Sequence, residues 1–102
     1  MNTKLSFQNE ESDDVMLLDE IETINTSYLL IYNDDYNTFD WVIQSLMEIC
    51  NHTFEQSEQL SLIIHYKGKA TVKTASLNTL QPMKDAFIER GLSAVIETEV
   101  NS

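Results

Sequence analysis

The spacing of hydrophobic residues after position 27 predicts alternating strands and helices. Residues 28–32 form a continuous apolar and aromatic run, typical of a strand covered on both faces. A turn-forming cluster at residues 33–37 ends this strand. Thr38 can then cap a first helix, with Asp40 favourably placed in its first turn. Apolar residues at spacings of three and four predict one buried face of that helix: Phe39, Val42, Ile43, Leu46 and Ile49 or Cys50.

A second helix follows a break in the pattern at Asn51 and His52. Thr53 and Gln56 match a capping box, in which each side chain accepts a bond from the other residue's backbone N–H group. Gly68 is a suitable C-terminal stop for this helix. Its apolar residues again keep helical spacing: Leu60, Ile63, Ile64 and Tyr66.

A second strand and a third helix follow Gly68. Residues 70–74 alternate as a half-buried strand does. The helix starts at Ser76 or Asn78 and ends at Gly91. Pro82 suits only the first turn of a helix, which favours a start later than Ser76. The apolar residues expected on its buried face are Leu80, Met83, Phe87 and Ile88.

A closing strand at residues 94–100 completes the order β-α-α-β-α-β. This order predicts a two-layer α+β domain, with a three-stranded sheet and three helices, over residues 27–102. Residues 1–26 differ, because they are acidic, sparsely apolar and without a sustained period. We expect an acidic flexible N-terminal tail there. Its hydrophobic cluster at residues 15–18 leaves open a short binding motif within that tail.

The charge of the chain limits its partners. The net charge is −11, of which residues 1–26 carry −6, with seven acidic residues against Lys4 alone. Such a chain lacks the basic surface that binding to nucleic acid or an anionic membrane requires. A cationic group such as an ammonium is a favourable partner. With 42% apolar composition, the 102 residues can form one domain with a hydrophobic core.

The single cysteine and the N-terminal residues indicate the compartment. Cys50 alone can form neither an intramolecular disulfide nor a multi-cysteine metal site. The N-terminal residues lead into a polar, acidic stretch rather than an apolar run, so we expect no signal peptide. No segment approaches the roughly 20 apolar residues of a membrane span. The cytoplasm is the expected location, and no cofactor is indicated.

The densest polar cluster lies between the first strand and the first helix. A calcium loop is one interpretation, because oxygen-bearing side chains alternate there. Such a loop requires glycine at its sixth position and glutamate at its twelfth, where this chain has Thr38 and Gln44. The calcium interpretation is therefore disfavoured. The cluster comprises Asn33, Asp34, Asp35 and Asn37.

Catalysis is also disfavoured by the residues present. A hydrolytic site needs a nucleophile beside a base. Cys50 lies on an apolar helix face, where a lone cysteine usually packs as a small hydrophobe. His52 lies in a polar break, as a loop or capping residue does. We expect a protein that is not an enzyme.

Two motifs resemble the ClpS family. They are Tyr-Leu-Leu-Ile-Tyr-Asn-Asp-Asp-Tyr at residues 28–36 and Ile-His-Tyr-Lys-Gly-Lys-Ala at residues 64–70. Members of that family are adaptors that deliver N-degron substrates, which are marked by their first residue, to the Clp AAA+ protease. The resemblance extends over residues 27–100 and implies the same β-α-α-β-α-β fold.

The resemblance implies an α-amino-group site. A free α-amino group is an ammonium with three donors and no acceptor, so it requires acceptors and favours charge-assisted bonds. Asn33 would accept through its side-chain oxygen and Asp35 would supply the carboxylate, with Asp34 as a neighbour. Neutral His65 would accept directly or through water, so its protonation on acidification is expected to weaken binding. Taken alone, His65 is more simply a surface histidine at a helix end and residues 33–35 a plain strand-to-helix turn; only their combination favours the α-amino-group site.

The resemblance also implies an apolar pocket for a large unbranched or aromatic first side chain. Phe39 and Ser61 stand where methionine is usual, and Ala94 where leucine is. Asn37 and Thr38 replace the usual threonine and proline. Phe39 could stack on an aromatic substrate, or it could fill the pocket and weaken discrimination. The expected lining is Asn37, Phe39, Val42, Ser61, Ile64 and Ala94.

A docking face for a ClpA- or ClpC-like ATPase is implied near the second strand and third helix. It would comprise Lys67, Lys69, Asn78 and Lys84, with Asn78 where the family often has glutamate. Lysines that protect a strand edge from aggregation are the alternative explanation. The main hypothesis is a monomeric N-degron adaptor whose tail engages the ATPase. The alternative is a divergent protein-interaction domain of this fold that binds no degron.

Overall fold

The structure, a computed structural model, describes residues 26–98. The elements follow the predicted order β-α-α-β-α-β. None of the helices within these residues has the length and hydropathy needed to cross a membrane. Apart from Thr26, the predicted tail lies outside the described residues, as does the end of the predicted last strand. The strands are β1 (Ser27–Tyr32), β2 (Lys69–Ala75) and β3 (Ser93–Thr98), and the helices are α1 (Phe39–Cys50), α2 (Phe54–Lys67) and α3 (Leu77–Glu89).

The sheet has the order β2-β1-β3, and both outer strands run antiparallel to β1. Leu29 and Ile31 of the central strand are almost fully buried in the main core. Leu30, on the opposite face, is also buried, as the continuous apolar run predicts. All three helices contribute to the core that contains Leu29 and Ile31, which gives the expected two layers. Their contributions include Leu46, Cys50, Ile64, Leu80 and Phe87.

A β-bulge interrupts the pairing of β1 with β2. Between the partners of consecutive residues Leu29 and Leu30, strand β2 has one extra residue, Val72. The Nε2 atom of His52 lies 2.7 Å from the Val72 carbonyl oxygen and donates to it. The histidine that the sequence places in a polar break thus connects the start of α2 to the bulge.

The predicted helix ends are confirmed for α1 and α2. The Thr38 hydroxyl accepts from the Trp41 N–H at 3.0 Å. Thr53 and Gln56 form a complete capping box. Asn51 and Gly68 end the two helices in the left-handed region, with φ of 60° and 93°.

Helix α3 begins earlier than predicted. Ser76 is its N-cap, so Pro82 lies in the second turn and not in the first. Proline removes the hydrogen bond to the Asn78 carbonyl. Both Asn78 and Pro82 are exposed, so water can satisfy that carbonyl, which explains why the helix tolerates Pro82.

Four apolar residues assigned to buried helix faces are exposed instead: Phe39 by 39%, Ile63 by 40%, Tyr66 by 77% and Ile88 by 50%. In α2 the fully buried positions are Ser57, Ser61 and Ile64. Helix α2 packs against α1, and its buried positions include two small serines. In α2 the prediction from hydrophobic spacing is therefore confirmed for Ile64 and for the partly buried Leu60, and wrong for Ile63 and Tyr66.

Candidate functional site

A cavity of about 480 Å³ lies between the β1–α1 loop (residues 33–38), the start of α1 and the C-terminal half of α2. This volume is within the range of small-ligand sites. The cavity brings together two parts of the chain that are distant in sequence. Its lining comprises Asn33, Asp34, Asp35, Asn37, Phe39 and Val42 on one side, and Ser61, Leu62, Ile64, His65 and Tyr66 on the other.

Asn33 connects the loop to the end of α2. Its backbone N–H donates to the Gly68 carbonyl at 2.9 Å, which extends the pairing of β1 with β2 by one bond. His65 lies in the last turn of α2, just before Gly68. The Asn33, Asp35 and His65 side chains are exposed, so they are accessible at the cavity mouth.

The carboxylate of Asp34 is occupied by the loop itself. Oδ1 accepts the backbone N–H groups of Tyr36 and Asn37 at 2.9 and 2.8 Å, and Oδ2 accepts Asn37 Nδ2 at 2.7 Å. Burial raises the pKa of Asp34, but the hydrogen bonds from Asn37 and Tyr36 outweigh it and hold this pKa below its ordinary value. Asp34 therefore shapes the loop, whereas Asp35 extends toward solvent.

Asn37 fixes the loop to the turn between α3 and β3. Its Nδ2 also donates to the Gly91 carbonyl at 2.9 Å. Gly91 has a φ of 86°, which glycine adopts without strain. Nearby, Trp41 Nε1 donates to the Arg90 carbonyl at 3.1 Å. These two bonds connect the start of α1 to the end of α3.

The Arg90 side chain strengthens the same connection. Its guanidinium lies 5.3 Å from the centre of the Trp41 ring and donates to Ser45 Oγ at 3.4 Å. It also forms an ion pair with Glu48 at 2.7 Å. Hydrogen bonds from Gln44 and Arg90 lower the pKa of Glu48. This network has no local signal in the sequence, because Arg90 is distant from α1 in the chain.

Phe39 forms a wall of the cavity without occupying it. As the first residue of α1 it is 39% exposed, although the sequence predicted a buried position. Val42 and Ile64 add apolar surface. Ser61 is 2% exposed, and its hydroxyl has no hydrogen-bond partner among residues 26–98. The cavity is thus open beside Phe39.

Ala94 does not line the cavity, contrary to the expectation from the resemblance. It lies in β3 opposite Ile31 and belongs to the main core, where it is 7% exposed. Its side chain is a single methyl group and extends no further than this core. The wall expected from β3 is therefore absent from the lining.

Leu62 and Tyr66 line the cavity although the sequence analysis did not assign them to it. The Tyr66 ring makes an edge contact with His65, with ring centres 4.8 Å apart. Ser61 and His65 form one i, i+4 pair on α2, and Leu62 and Tyr66 form the adjacent one. The signal that could have identified them is this spacing relative to His65.

The expected docking residues lie on three different elements. Lys67 and Lys69 flank Gly68 at one end of β2, whereas Asn78 lies beyond the other end of this seven-residue strand. Lys84 lies farther along α3. Lys69 also contacts the Tyr32 ring, with its Nζ 5.5 Å from the ring centre.

Cys50 packs in the core and is 3% exposed. Burial raises the pKa of its thiol to about 11, although nearby Lys73 partly opposes this shift. A neutral buried thiol is a poor nucleophile. Within residues 26–98, no three His, Cys, Asp or Glu side chains form a group that could hold a metal ion.

Comparison with known families identifies the family of the chain. The family model described as "ATP-dependent Clp protease adaptor protein ClpS" matches residues 22–94. The chain belongs to the ClpS family. A ClpS adapter protein of Lawsonia intracellularis is 33% identical over 61 residues, which are 60% of this chain and 56% of the relative. The ClpS adapter protein of Salmonella arizonae is 33% identical over 69 residues, which are 68% of this chain and 63% of the relative.

The fold is also that of a solved ClpS structure. Agrobacterium tumefaciens ClpS2 bound to L-phenylalaninamide aligns with a TM-score of 0.68, over 74% of this chain and 98% of that one. At 20% identity this similarity supports the fold alone. Because the chain spans less than two thirds of the two ClpS relatives, their activity and partners remain proposals for this chain.

Proposed function

We propose that this ClpS-family chain is an adaptor that binds free amino termini with a bulky hydrophobic first residue. It passes the bound proteins to a Clp-family AAA+ ATPase, ClpA-like or ClpC-like, in the cytoplasm. The observation that carries this proposal is the cavity itself, which has acceptor side chains at its mouth and apolar walls behind them.

The acceptors at the mouth suit an ammonium group. Asp35 supplies the negative charge, because the Asp34 carboxylate is already occupied by three hydrogen bonds within the loop. Asn33 and neutral His65 supply further acceptors from opposite sides of the mouth. Asp34 has a positioning role in this proposal, and Asp35 is the charged ligand.

The apolar walls suit the first side chain. Phe39, Val42 and Ile64 provide a surface on which an aromatic or long aliphatic group can pack. The exposed position of Phe39 supports an open pocket over one filled by this ring. Ala94 is left out of the proposed pocket, and Leu62 and Tyr66 are added to it.

A panel of peptides tests this proposal. Five peptides that differ only in their first residue (Phe, Leu, Trp, Tyr or Ala) are titrated calorimetrically, each with a free and an acetylated amino terminus. We expect binding of the bulky residues only, and loss of that binding on acetylation. Asp35→Ala should abolish it, whereas Asp85→Ala removes an equal charge from α3 and should not. Equal or absent binding across the panel would support the degron-independent interaction domain instead.

Delivery to the ATPase is proposed on the family resemblance. The proposed contacts are Lys67 at the end of α2, Lys69 at the start of β2, and Asn78 and Lys84 in α3. Deletion of residues 1–20 should leave peptide affinity intact and stop degradation of a model substrate. Unchanged degradation would refute the proposed role of the tail.

A further inference from the structure

Ser61 brings an unpaired hydrogen-bonding group to a cavity wall that also carries apolar side chains. Its hydroxyl is buried and has no partner among residues 26–98. A buried hydroxyl without a partner is unfavourable, because it has lost its hydrogen bonds to water. Ser57, one turn earlier, is equally buried and unpaired, but it does not line the cavity. Of the two serines, only Ser61 is a lining residue of the cavity.

The position of Ser61 relative to His65 sets the distance from the cavity mouth to the Ser61 hydroxyl. The two residues are four apart in α2, so they share a helix face and are separated by about 6 Å along its axis. His65 is exposed at the mouth, and Ser61 is buried. A first side chain that extends inward from an amino group near His65 therefore points along this face toward Ser61. The side chain of tyrosine has about this length.

We propose that Ser61 selects first residues whose apolar side chain ends in a hydrogen-bonding group, with tyrosine preferred over phenylalanine. This inference rests on the proposed function, because it concerns the same amino-terminus site. The tyrosine hydroxyl can donate to or accept from Ser61 Oγ. Phenylalanine has nearly the same shape but leaves that oxygen unpaired. Pairing a buried hydroxyl that otherwise has no partner should strengthen tyrosine binding about tenfold over phenylalanine.

Serine-to-alanine variants at the two buried positions test this inference. Peptides that begin with Tyr or Phe and are otherwise identical are titrated into the wild-type chain, Ser61→Ala and Ser57→Ala. We expect a Tyr-to-Phe affinity ratio of about ten in the wild type and in Ser57→Ala. In Ser61→Ala the ratio should fall to about one, through weaker binding of the Tyr peptide.

A wild-type measurement keeps the inference testable without any variant. A peptide that begins with 4-fluorophenylalanine adds volume at the position of the tyrosine hydroxyl but only a weak acceptor. It should bind as the Phe peptide does, and binding as tight as that of the Tyr peptide would overturn the role of the hydrogen bond.

The outcomes separate this inference from the proposed function. Equal wild-type affinity for the Tyr and Phe peptides would overturn the selectivity and leave the proposed function intact. A ratio of ten that persists in Ser61→Ala would overturn the assignment to Ser61. Binding of neither peptide, or binding unaffected by acetylation, would overturn both.

Discussion

The two walls of the cavity differ in how their polar groups are satisfied. In the β1–α1 loop, Asp34 accepts three hydrogen bonds, and Asn37 connects it to the Gly91 carbonyl. On the α2 wall, the hydroxyl of Ser61 is buried with no partner among residues 26–98, as is that of Ser57, which lies one turn earlier and outside the lining. One wall is held by bonds already made, and the other retains unused hydrogen-bonding capacity.

This difference separates positioning from recognition. The paired groups of the loop fix the backbone from which Asn33 and Asp35 extend, but they have little capacity left for a ligand. The unpaired hydroxyl of Ser61 has that capacity. Removing these two kinds of group should change the free energy of unfolding in opposite directions. Deleting a paired group loses a hydrogen bond, whereas deleting an unpaired buried group removes an unfavourable desolvation energy.

Asp34→Ala should have the largest effect of the changes that test this contrast. The variant leaves the backbone N–H groups of Tyr36 and Asn37 without their acceptor. We expect the free energy of unfolding to fall by about 1–3 kcal/mol. If the proposed function is right, affinity should fall more than tenfold for both Tyr and Phe peptides, because the loop carries the proposed ammonium site. Urea denaturation and calorimetry measure both.

The matched control for Asp34→Ala is Asp85→Ala, which removes an exposed carboxylate from α3. It should change neither quantity appreciably. An Asp34→Ala variant that keeps its peptide affinity would contradict the positioning role of the loop.

Asn37→Asp should have the next largest effect. The variant keeps the shape of the side chain but turns an oxygen toward the Asp34 carboxylate and the Gly91 carbonyl. We expect a loss of about 1–2 kcal/mol in the free energy of unfolding, because two hydrogen bonds become repulsive contacts. Asn78→Asp makes the same chemical change at the exposed start of α3 and should be neutral or slightly stabilising. Equal stability of the two variants would mean that the link to Gly91 contributes nothing.

Ser57→Ala, one turn before the cavity lining on α2, should change stability in the opposite direction. We expect the free energy of unfolding to rise by up to about 1 kcal/mol, because an unpaired buried hydroxyl is removed and alanine favours helix. Ser45→Ala is the matched comparison, since Ser45 is equally buried but accepts a bond from Arg90. That variant should be destabilised. A loss of stability in Ser57→Ala would show that the buried Ser57 hydroxyl does not destabilise the fold.

The smallest effect expected among these tests is the pH dependence of the free energy of unfolding. The folded pKa of Asp34 lies below its ordinary value, because the bonds from Asn37 and Tyr36 outweigh the opposing effect of burial. The stabilisation that the ionised Asp34 carboxylate contributes is therefore present above the pKa of Asp34 in the unfolded chain. It is lost as pH falls through the lower pKa of Asp34 in the folded chain, in the region below about pH 4. Urea denaturation between neutral and acid pH should show a steeper loss in the wild type than in Asp34→Asn. Parallel curves would argue against this role of the carboxylate.

Local signals made most of the fold predictable from the sequence. The capping box of Thr53 and Gln56 and the stop at Gly68 each depend on a few neighbouring residues. Pro82 led to a wrong predicted start for α3. The turn around Pro82 is exposed, so water can replace the hydrogen bond that proline cannot donate. The two buried serines of α2 also escaped prediction, since serine is polar and Ser61 is buried only through tertiary packing.

The candidate site was predictable where its residues are neighbours in sequence. The polar loop at residues 33–37 stands out by composition, and the resemblance added His65. The bond from Asn37 to the Gly91 carbonyl spans 54 positions and has no local signal. Ala94 was misplaced for the same reason, because its position in the core depends on pairing with Ile31 across the sheet.

The bond from the Asn33 N–H to the Gly68 carbonyl determines when the site can form. It extends the pairing of β1 with β2, so the two walls of the cavity face each other only after β2 has joined the sheet. Such long-range pairing is typically a slow step of folding. A chain still emerging during synthesis would therefore have no assembled cavity, and a ligand would in turn favour the completed fold by mass action.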